Sequence, residues 1–517
     1  MHHHRPLTLS LLVVLLFATA CGAPASTKAA DVPPHAGPAD GPPTRPGRTS
    51  NALTPAPALP PAARSGPGDL ELLAREALTR PGAPALLASL CAAAPRRLSG
   101  SSGAEEAVLW AESTMHALGL ENVHREPCLV PHWERGSVAR LSLPPGESDP
   151  SGEVTELSIL ALGGSPPTAP GGLEAEVLMV NSLDELRGLG ERTRGKAIFF
   201  ARPMDPAAPN PFAAYGGAVD QRSVGPLVAS EVGAAFAIVR SMTMALDDHP
   251  HTGSMRYVEG VSVPAVAVST LGAERLARRL ASGAVVRARL ELDCRWLPDV
   301  PSANVVGEIV GRERPEEIVV LGGHLDAWDV GEGAHDDGAG CVHALEAVRL
   351  IRTLGWRPRR TLRVVLWMNE ENGLRGALAY RDAHRAEMDR HVLALESDRG
   401  GFAPRGFDCC VSDEALRALS AMAEGLEPYG IGFVRASANA GADLGPLQEL
   451  GVPTVGFVPD AARYFDLHHS MADTLSTVHP RELELGALCV AALCFAVADA
   501  ERPLARLPRP VDPLHEH

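Results

Sequence analysis

Five short stretches hold the residues whose types and spacing could do chemistry. His324 and Asp326 stand in one stretch, and Asp336-Asp337 follow in a Gly-rich run. Glu370-Glu371, Asp398 and His468-His469-Ser470 come later. Each has an ordinary reading. Asp-Asp-Gly marks turns, Glu-Glu at a helix start favours the macrodipole, and paired histidines are often exposed. As a set they point to metal. Clustered carboxylates raise one another's pKa, and a pair of divalent cations removes that cost. Neutral imidazole and carboxylate suit Zn²⁺. Two such ions about 3.5–4 Å apart share a water and lower its pKa toward neutrality. One carboxylate must then bridge them, and the Asp-Asp turn offers Asp336. A carboxylate free of metal must take the water's proton, so within Glu370-Glu371 one residue ligates and its neighbour acts as base.

These residues need a scaffold that gathers them. The apolar run Ile318–Leu321 reads as a buried strand ending just before His324. A helix is expected from Ala339 to Leu354, with Val342, Leu345, Val348 and Ile351 inward. Strands are expected at Leu362–Met368, just before the two glutamates, and at His391–Leu395, just before Asp398. A helix over Leu416–Met422, a strand over Pro453–Val458 ahead of His469, and a helix over Leu483–Ala498 complete the series. Alternating strands and helices predict an α/β fold, its sheet largely parallel with helices on both faces. Ligands then fall at the carboxyl edge of the sheet, where such folds build sites. Upstream, Leu70, Leu72, Leu73 and Ala77 have helical spacing. A second helix follows Arg97-Leu98-Ser99-Gly100, with Ser102 and Glu105 as a capping box.

Between about Glu126 and Pro301 the pattern changes. Short apolar runs alternate with Gly and Pro: 177–180, 197–200, 235–239, 261–268 and 286–292. This reads as a β-rich insertion with few helices, such as Leu271–Leu280, and without a ligand cluster. His249 and His251 in His249-Pro250-His251-Thr252 read as a polar loop in preference to a metal pair.

The ordered motifs resemble the carboxypeptidase Q-like co-catalytic zinc exopeptidases. They are Arg97–Ser101 (RLSGS), Pro131–Gly136 (PHWERG), Pro250–Gly253 (PHTG), the run from Gly323 to Gly338, RTLRVVLWMNEENG, ESDRG and HHSMADT. The likeness runs from about Arg97 nearly to residue 500. It implies a phosphorylase/hydrolase-like zinc peptidase fold: a central mixed, mostly parallel sheet flanked by helices. Residues 126–301 would then be an inserted, protease-associated-like domain lidding the cleft. It further implies two Zn²⁺ per chain. His324, Asp336 and Asp398 would hold one; Asp336, Glu371 and His469 the other. Glu370 would be general base, and Asp326 would orient His324. Asp337 would shape the turn at the bridging ligand. His469 is preferred to His468 because the family ligand directly precedes Ser or Thr, with an Asp further on, here Asp473. Asp443, in Gly441-Ala442-Asp443, is a candidate to meet a substrate amine. Met368-Asn369 departs from relatives, which have Thr-Ala or similar before the glutamates; pocket shape is the expected consequence. The implied reaction is hydrolysis of dipeptides or short peptides through a metal-bridged water. The competing readings are an inactive receptor or binding module on the same scaffold, and a glutaminyl cyclase-like single-zinc enzyme. Intact ligands and base argue against the first. Metal stoichiometry and the insertion argue against the second.

Length and composition bound the rest. The chain has 517 residues, 45% hydrophobic and 21% charged, with net charge −16. Two or three soluble domains are expected, and nonspecific nucleic-acid binding is excluded by charge. Residues 1–20 read as an export signal, with Arg5 ahead of the apolar run Leu9–Phe17. Small residues before Cys21 resemble a lipoprotein signal, although Ala18 stands where Leu is usual. Membrane contact is expected only through lipid on Cys21. Residues 21–67 read as a disordered Pro/Ala-rich tether. Residues 68–125 and 302–500 would form the catalytic domain, and 501–517 a flexible tail. With Cys21 set aside, eight of the nine cysteines remain, an even number suited to an oxidising compartment. A homodimer is expected by analogy with relatives.

Overall fold

The computed structural model describes residues 67–145 and 153–507. The export signal, Cys21, nearly all of the tether and the end of the tail lie outside the described residues. No helix among the described residues is long and apolar enough to cross a membrane.

The catalytic sheet has eight strands. Its centre is four parallel strands in the order Arg360–Trp367, Arg314–His324, His391–Glu396 and Thr454–Pro459. Antiparallel partners flank this centre: Arg295–Ile309 beside Arg360–Trp367, and Pro404–Cys410 beside Thr454–Pro459. The central strands are buried on both faces, as continuous apolar runs require. Alternation sorts their side chains. Val319, Leu321, Val364, Leu366, Leu393 and Leu395 join the core under helices Ala339–Thr353 and Pro480–Asp499. Ile318, Val320, Val365, Trp367 and Ala394 pack on the opposite side, with Ala377 and Tyr380 of helix Arg375–Ala383. The α/β fold with a mixed sheet and helices on both faces is thus as expected.

The inserted segment differs from expectation. Rather than mostly strands, it is itself α/β. Its eight-stranded sheet has a parallel centre of Leu173–Val180, Ala197–Phe200, Phe236–Arg240 and Ala265–Val268. Helices such as Gly225–Glu231 and Thr270–Ala281 connect and cover them. Several of these helices have only four to seven residues, too short to print a 3.6-residue period on the sequence. Two long antiparallel strands, Glu121–Glu134 and Arg295–Ile309, carry the chain out of the catalytic sheet and back.

Other differences are local. The helix Ser102–Ala117 is capped by Ser101, whose Oγ accepts from the amide of Ala104, not by a box on Ser102 and Glu105. The helix Ala83–Ala93 went unread because it is almost all Ala and Leu and shows no polar face. The tail is anchored at its start: Leu504 is buried and Arg506 donates to the carbonyls of Met388 and His391. All eight described cysteines are unpaired, and all but Cys410 are buried in apolar cores, so they act as small hydrophobes.

Candidate active site

Each site residue sits where a parallel strand ends. His324 is the last residue of strand Arg314–His324. Asp398 lies two residues past His391–Glu396. Glu370-Glu371 follow Arg360–Trp367. His469 follows Thr454–Pro459 through the short helix Tyr464–Leu467. Asp336 comes in on the turn Ala334–Gly338, which opens the helix Ala339–Thr353.

The geometry centres on Asp336. Its Oδ1 lies 3.2 Å from His324 Nε2 and its Oδ2 lies 3.2 Å from His469 Nε2. Asp398 Oδ1 stands 3.4 Å from His324 Nε2, and Glu371 Oε2 stands 3.1 Å from His469 Nε2. The result is two clusters sharing one carboxylate. Glu370 is set slightly apart, its Oε2 4.0 Å from His324 Nε2. Asp336, Glu370, Glu371, Asp398, His468 and His469 all line one cleft of about 260 Å³.

The donor set fits divalent cations. Asp336 Oδ2 and Asp398 Oδ1 are buried without a hydrogen bond, a costly state for carboxylate oxygens unless a cation meets them. Ligand atoms of His324, Asp336 and Asp398 lie within 4.8 Å of one another, as do those of Asp336, His468 and His469. Without a cation, the charges force protons onto the site. Burial lowers His324, yet Asp398 and Asp336 raise it further, to well above its ordinary value. His469 is pushed up to about 9: burial opposes, while Glu371 and Asp336 prevail. Burial and then Asp336 lift Glu371 to about 7. Burial, with Asp398 and Glu371 adding repulsion, holds Glu370 well above the usual carboxylate range.

Supporting groups aim the ligands. His324 Nδ1 donates to the backbone carbonyl of Asp326 at 2.9 Å, which leaves Nε2 bare for metal. The Asp326 carboxylate does something other than expected. Its Oδ1 stands 3.9 Å from that ring and instead accepts from the amides of Asn369 and Glu370. Asp326 thus orients His324 through its main chain and the glutamate pair through its side chain. Asp337 Oδ2 accepts from the His324 amide and Oδ1 from Gly340, tying the bridging turn to the histidine strand. Asn369 has φ +73°, a conformation Asn tolerates better than β-branched residues do. It is fully buried and bonds Ser99, so it shapes the turn ahead of Glu370, not the cleft wall.

Asp443 is placed differently from expectation. It is 0% exposed and does not line the cleft, and burial, with Glu396 and Glu370 adding repulsion, holds its carboxyl well above the usual range. His468 stacks on His469 with ring centroids 3.5 Å apart, and its Nε2 is 3.6 Å from Asp336 Oδ2. Because it lies farther from Asp336 and contacts no second carboxylate, the geometry favours His469 as ligand.

Three contributors have roles that the sequence reading did not assign. Asp473 accepts from the amides of His335 and Asp336 at 2.7 and 3.0 Å, fixing the backbone that carries Asp336. Arg97, fully buried, donates to the carbonyls of Leu325, Glu332 and Gly333, each at 2.7 Å. It spans both ends of the loop between His324 and Asp336. The insertion also reaches in, through the loop His251–Gly253. The Thr252 amide donates to the His469 carbonyl, and His469 Nδ1 lies 3.4 Å from the Thr252 carbonyl. His251 Nδ1 donates to the His468 carbonyl at 2.7 Å. His251 therefore supports the histidine loop. RLSGS and PHTG, visible as motifs, were the available signals.

Residues 304–493 match Peptidase family M28. Carboxypeptidase Q from Bos taurus is 37% identical over 411 residues, covering 79% of this chain and 84% of that protein. The Homo sapiens protein of that name is 36% identical over the same shares. The chain belongs to peptidase family M28. By that membership it is a zinc-dependent exopeptidase. A Peptidase M28 precursor from Shewanella amazonensis superposes on this peptidase with TM-score 0.80 and 34% identity, covering 85% of this chain and 98% of the other. An aminopeptidase from Aneurinibacillus shares the fold at TM-score 0.59 and 20% identity.

Proposed function

We propose that this peptidase is a two-zinc enzyme that hydrolyses dipeptides or short peptides with unblocked ends. The observation that carries the reading is the single carboxylate of Asp336 offered to two imidazoles, with Asp398 beside one and Glu371 beside the other. His324, Asp336 and Asp398 would hold one ion; Asp336, Glu371 and His469 the second. Bound there, zinc supplies Lewis-acid charge at the scissile carbonyl and makes water a nucleophile near neutral pH.

The chain's own groups do the remainder. Glu370 Oε2 stands 4.0 Å from His324 Nε2, and burial with neighbouring carboxylates raises its proton affinity, as a proton carrier requires. It takes the proton from the attacking water and passes it to the departing nitrogen. Asp326 steadies that base by accepting from the Glu370 amide. The aromatic side chains Phe212, Tyr215, Tyr464 and Phe465 wall the cleft, limiting it to a small substrate. The same reading includes export: the Arg5-led apolar run and Cys21 support a secreted enzyme, lipid-anchored at that cysteine.

The test is zinc titration of the chain beside its Glu370→Gln variant, each assayed on unblocked dipeptides. Two zincs per chain are expected in both. The variant's kcat should fall about 10²–10⁴-fold. One zinc per chain, or full activity in the variant, would refute the reading.

A further inference from the structure

Outside the cleft, two buried glutamates meet at the start of a helix. Glu346 of helix Ala339–Thr353 and Glu484 of helix Pro480–Asp499 are 0% and 1% exposed. Glu346 Oε1 accepts from the Gly82 amide at 3.3 Å, and Glu484 Oε2 accepts from the Ala83 amide at 3.0 Å. Those amides belong to consecutive residues, whose Cα atoms stand about 3.8 Å apart, so the two carboxyl groups converge. They satisfy open amides of helix Ala83–Ala93, which has no side-chain cap of its own. The charges around them do not balance. Arg349 grips Glu346 with two nitrogens, Nε to Oε2 at 2.7 Å and Nη2 to Oε1 at 2.6 Å. Glu76 of helix Pro67–Thr79, itself buried, pairs with the exposed Arg80 at 2.9 Å. Helix Ala83–Ala93 brings only Cys91, which faces Arg97 and Glu332 instead. Among the described residues, Glu484 has no cation within salt-bridge distance, and its Oε1 is buried without a hydrogen-bond donor.

We propose that Glu346 and Glu484 share one proton, and that this proton latches the start of helix Ala83–Ala93 to the two helices that carry them. Glu346 is the ionised member, because Arg349 holds both its oxygens. Glu484 carries the proton on Oε1 and donates it to Glu346, which leaves Oε2 to accept from Ala83. An ionised Glu484 would also suit a helix N-terminus, but it would set two buried charges against one arginine. Burial, then Glu346, push Glu484 up to about 8, against the pull of the Ala83 amide and Arg349. The latch acts on the turn that carries Asp336. Ala83, Leu87 and Cys91 pack with Ala334 and Ala339. Leu87 sits so close to Gly338 that an added Cβ there would fall 2.8 Å from its Cδ1. The sign of the pH effect follows from a folded value above the ordinary 4.5. The stabilising share of Glu484 is full below pH 4.5 and is lost as pH rises to about 8. In alkaline solution the proton leaves, the two carboxylates repel at Gly82-Ala83, and the helix under the Asp336 turn loosens.

The experiment compares urea unfolding of the full zinc-loaded chain with that of its Glu484→Gln variant from about pH 5 to about pH 9. Glutamine keeps an acceptor for the Ala83 amide and puts a permanent N–H donor where the shared proton stood. The variant should therefore gain on the parent as pH rises. Read as a ratio of unfolding constants, the gain should approach about tenfold per pH unit while the folded parent holds one extra proton. It should level off above about pH 8. A ratio that does not change with pH overturns the shared proton. So does a variant that loses ground as pH rises, which is the behaviour of an ionised cap. If Glu484→Gln does not fold, hydrogen exchange in the parent decides. Corrected for intrinsic rate, residues 80–93 should lose protection between about pH 7 and about pH 9 ahead of the central strands. Unchanged protection over that range overturns the latch.

Discussion

At the scale of single residues, the site depends on groups that never meet the metal. Asp473 is the clearest case. Both its oxygens are committed to backbone amides, one of them that of Asp336. Burial, followed by repulsion from Asp336, lifts its pKa to about 7, so keeping it charged depends on those two amides. Asp473→Asn keeps the volume but replaces an acceptor oxygen with a donor facing an N–H. The Asp336 carboxylate shared by the two imidazoles should then lose its fixed aim, and zinc affinity should fall about 10–100-fold. Competition against a chromophoric chelator would measure this; an unchanged affinity would remove Asp473 from the site. The main-chain role of Asp326 carries the same lesson. The sequence marks a residue as polar and near a ligand, but not which of its oxygens does the work.

At the scale of elements, the long strand Glu121–Glu134 must stay on the catalytic sheet while carrying the insertion. Backbone pairing with Arg295–Ile309 does most of this. Glu126 adds a pin: its Oε1 meets His384 Nε2 at 2.7 Å, while His384 Nδ1 meets Glu387 at 2.6 Å. Burial opposes both charges, yet the pair prevails, lowering Glu126 below its ordinary 4.5 and raising His384 above its ordinary 6.5. The signs fix the window. The raised His384 contributes fully below pH 6.5, and its share is lost as pH rises through its folded value. The lowered Glu126 contributes fully above pH 4.5, and its share is lost as pH falls through its folded value. Glu126→Gln should therefore cost about 1 kcal/mol between those limits, and less on either side. Denaturant melts across pH 4 to 9 would measure this; a pH-independent difference would refute the pairing. Arg97 works at the same scale, joining the helical N-terminal region to both ends of the metal-site loop.

At the scale of the whole molecule, the site is shared. Trp328 and Val330, on the loop ahead of Asp336, pack into one core of the insertion. Phe402, Tyr464 and Phe465 pack into its other core. His469 is clamped by Thr252 of the insertion while facing Asp336 and Glu371 of the catalytic sheet. Zinc should therefore stabilise both units together. Chelation should lower Tm in a single transition, the loss approaching about 4 kcal/mol if zinc had been present at a thousand times its Kd. Two transitions in calorimetry, only one of them shifted by chelator, would show that the units are uncoupled. The sequence by itself determined the catalytic strands, because short continuous apolar runs end at the ligand motifs. It also marked the residue types gathered at the site, because imidazole and carboxylate recur at those ends. It did not determine the insertion's architecture, since helices of four to seven residues are too short to show a period. Nor did it bring Arg222 and Thr252 to the site, give Asp473 its two backbone amides, or leave Asp443 off the cleft lining. Those placements depend on contacts between residues up to 247 positions apart, and nothing local in a sequence encodes which distant segments will meet.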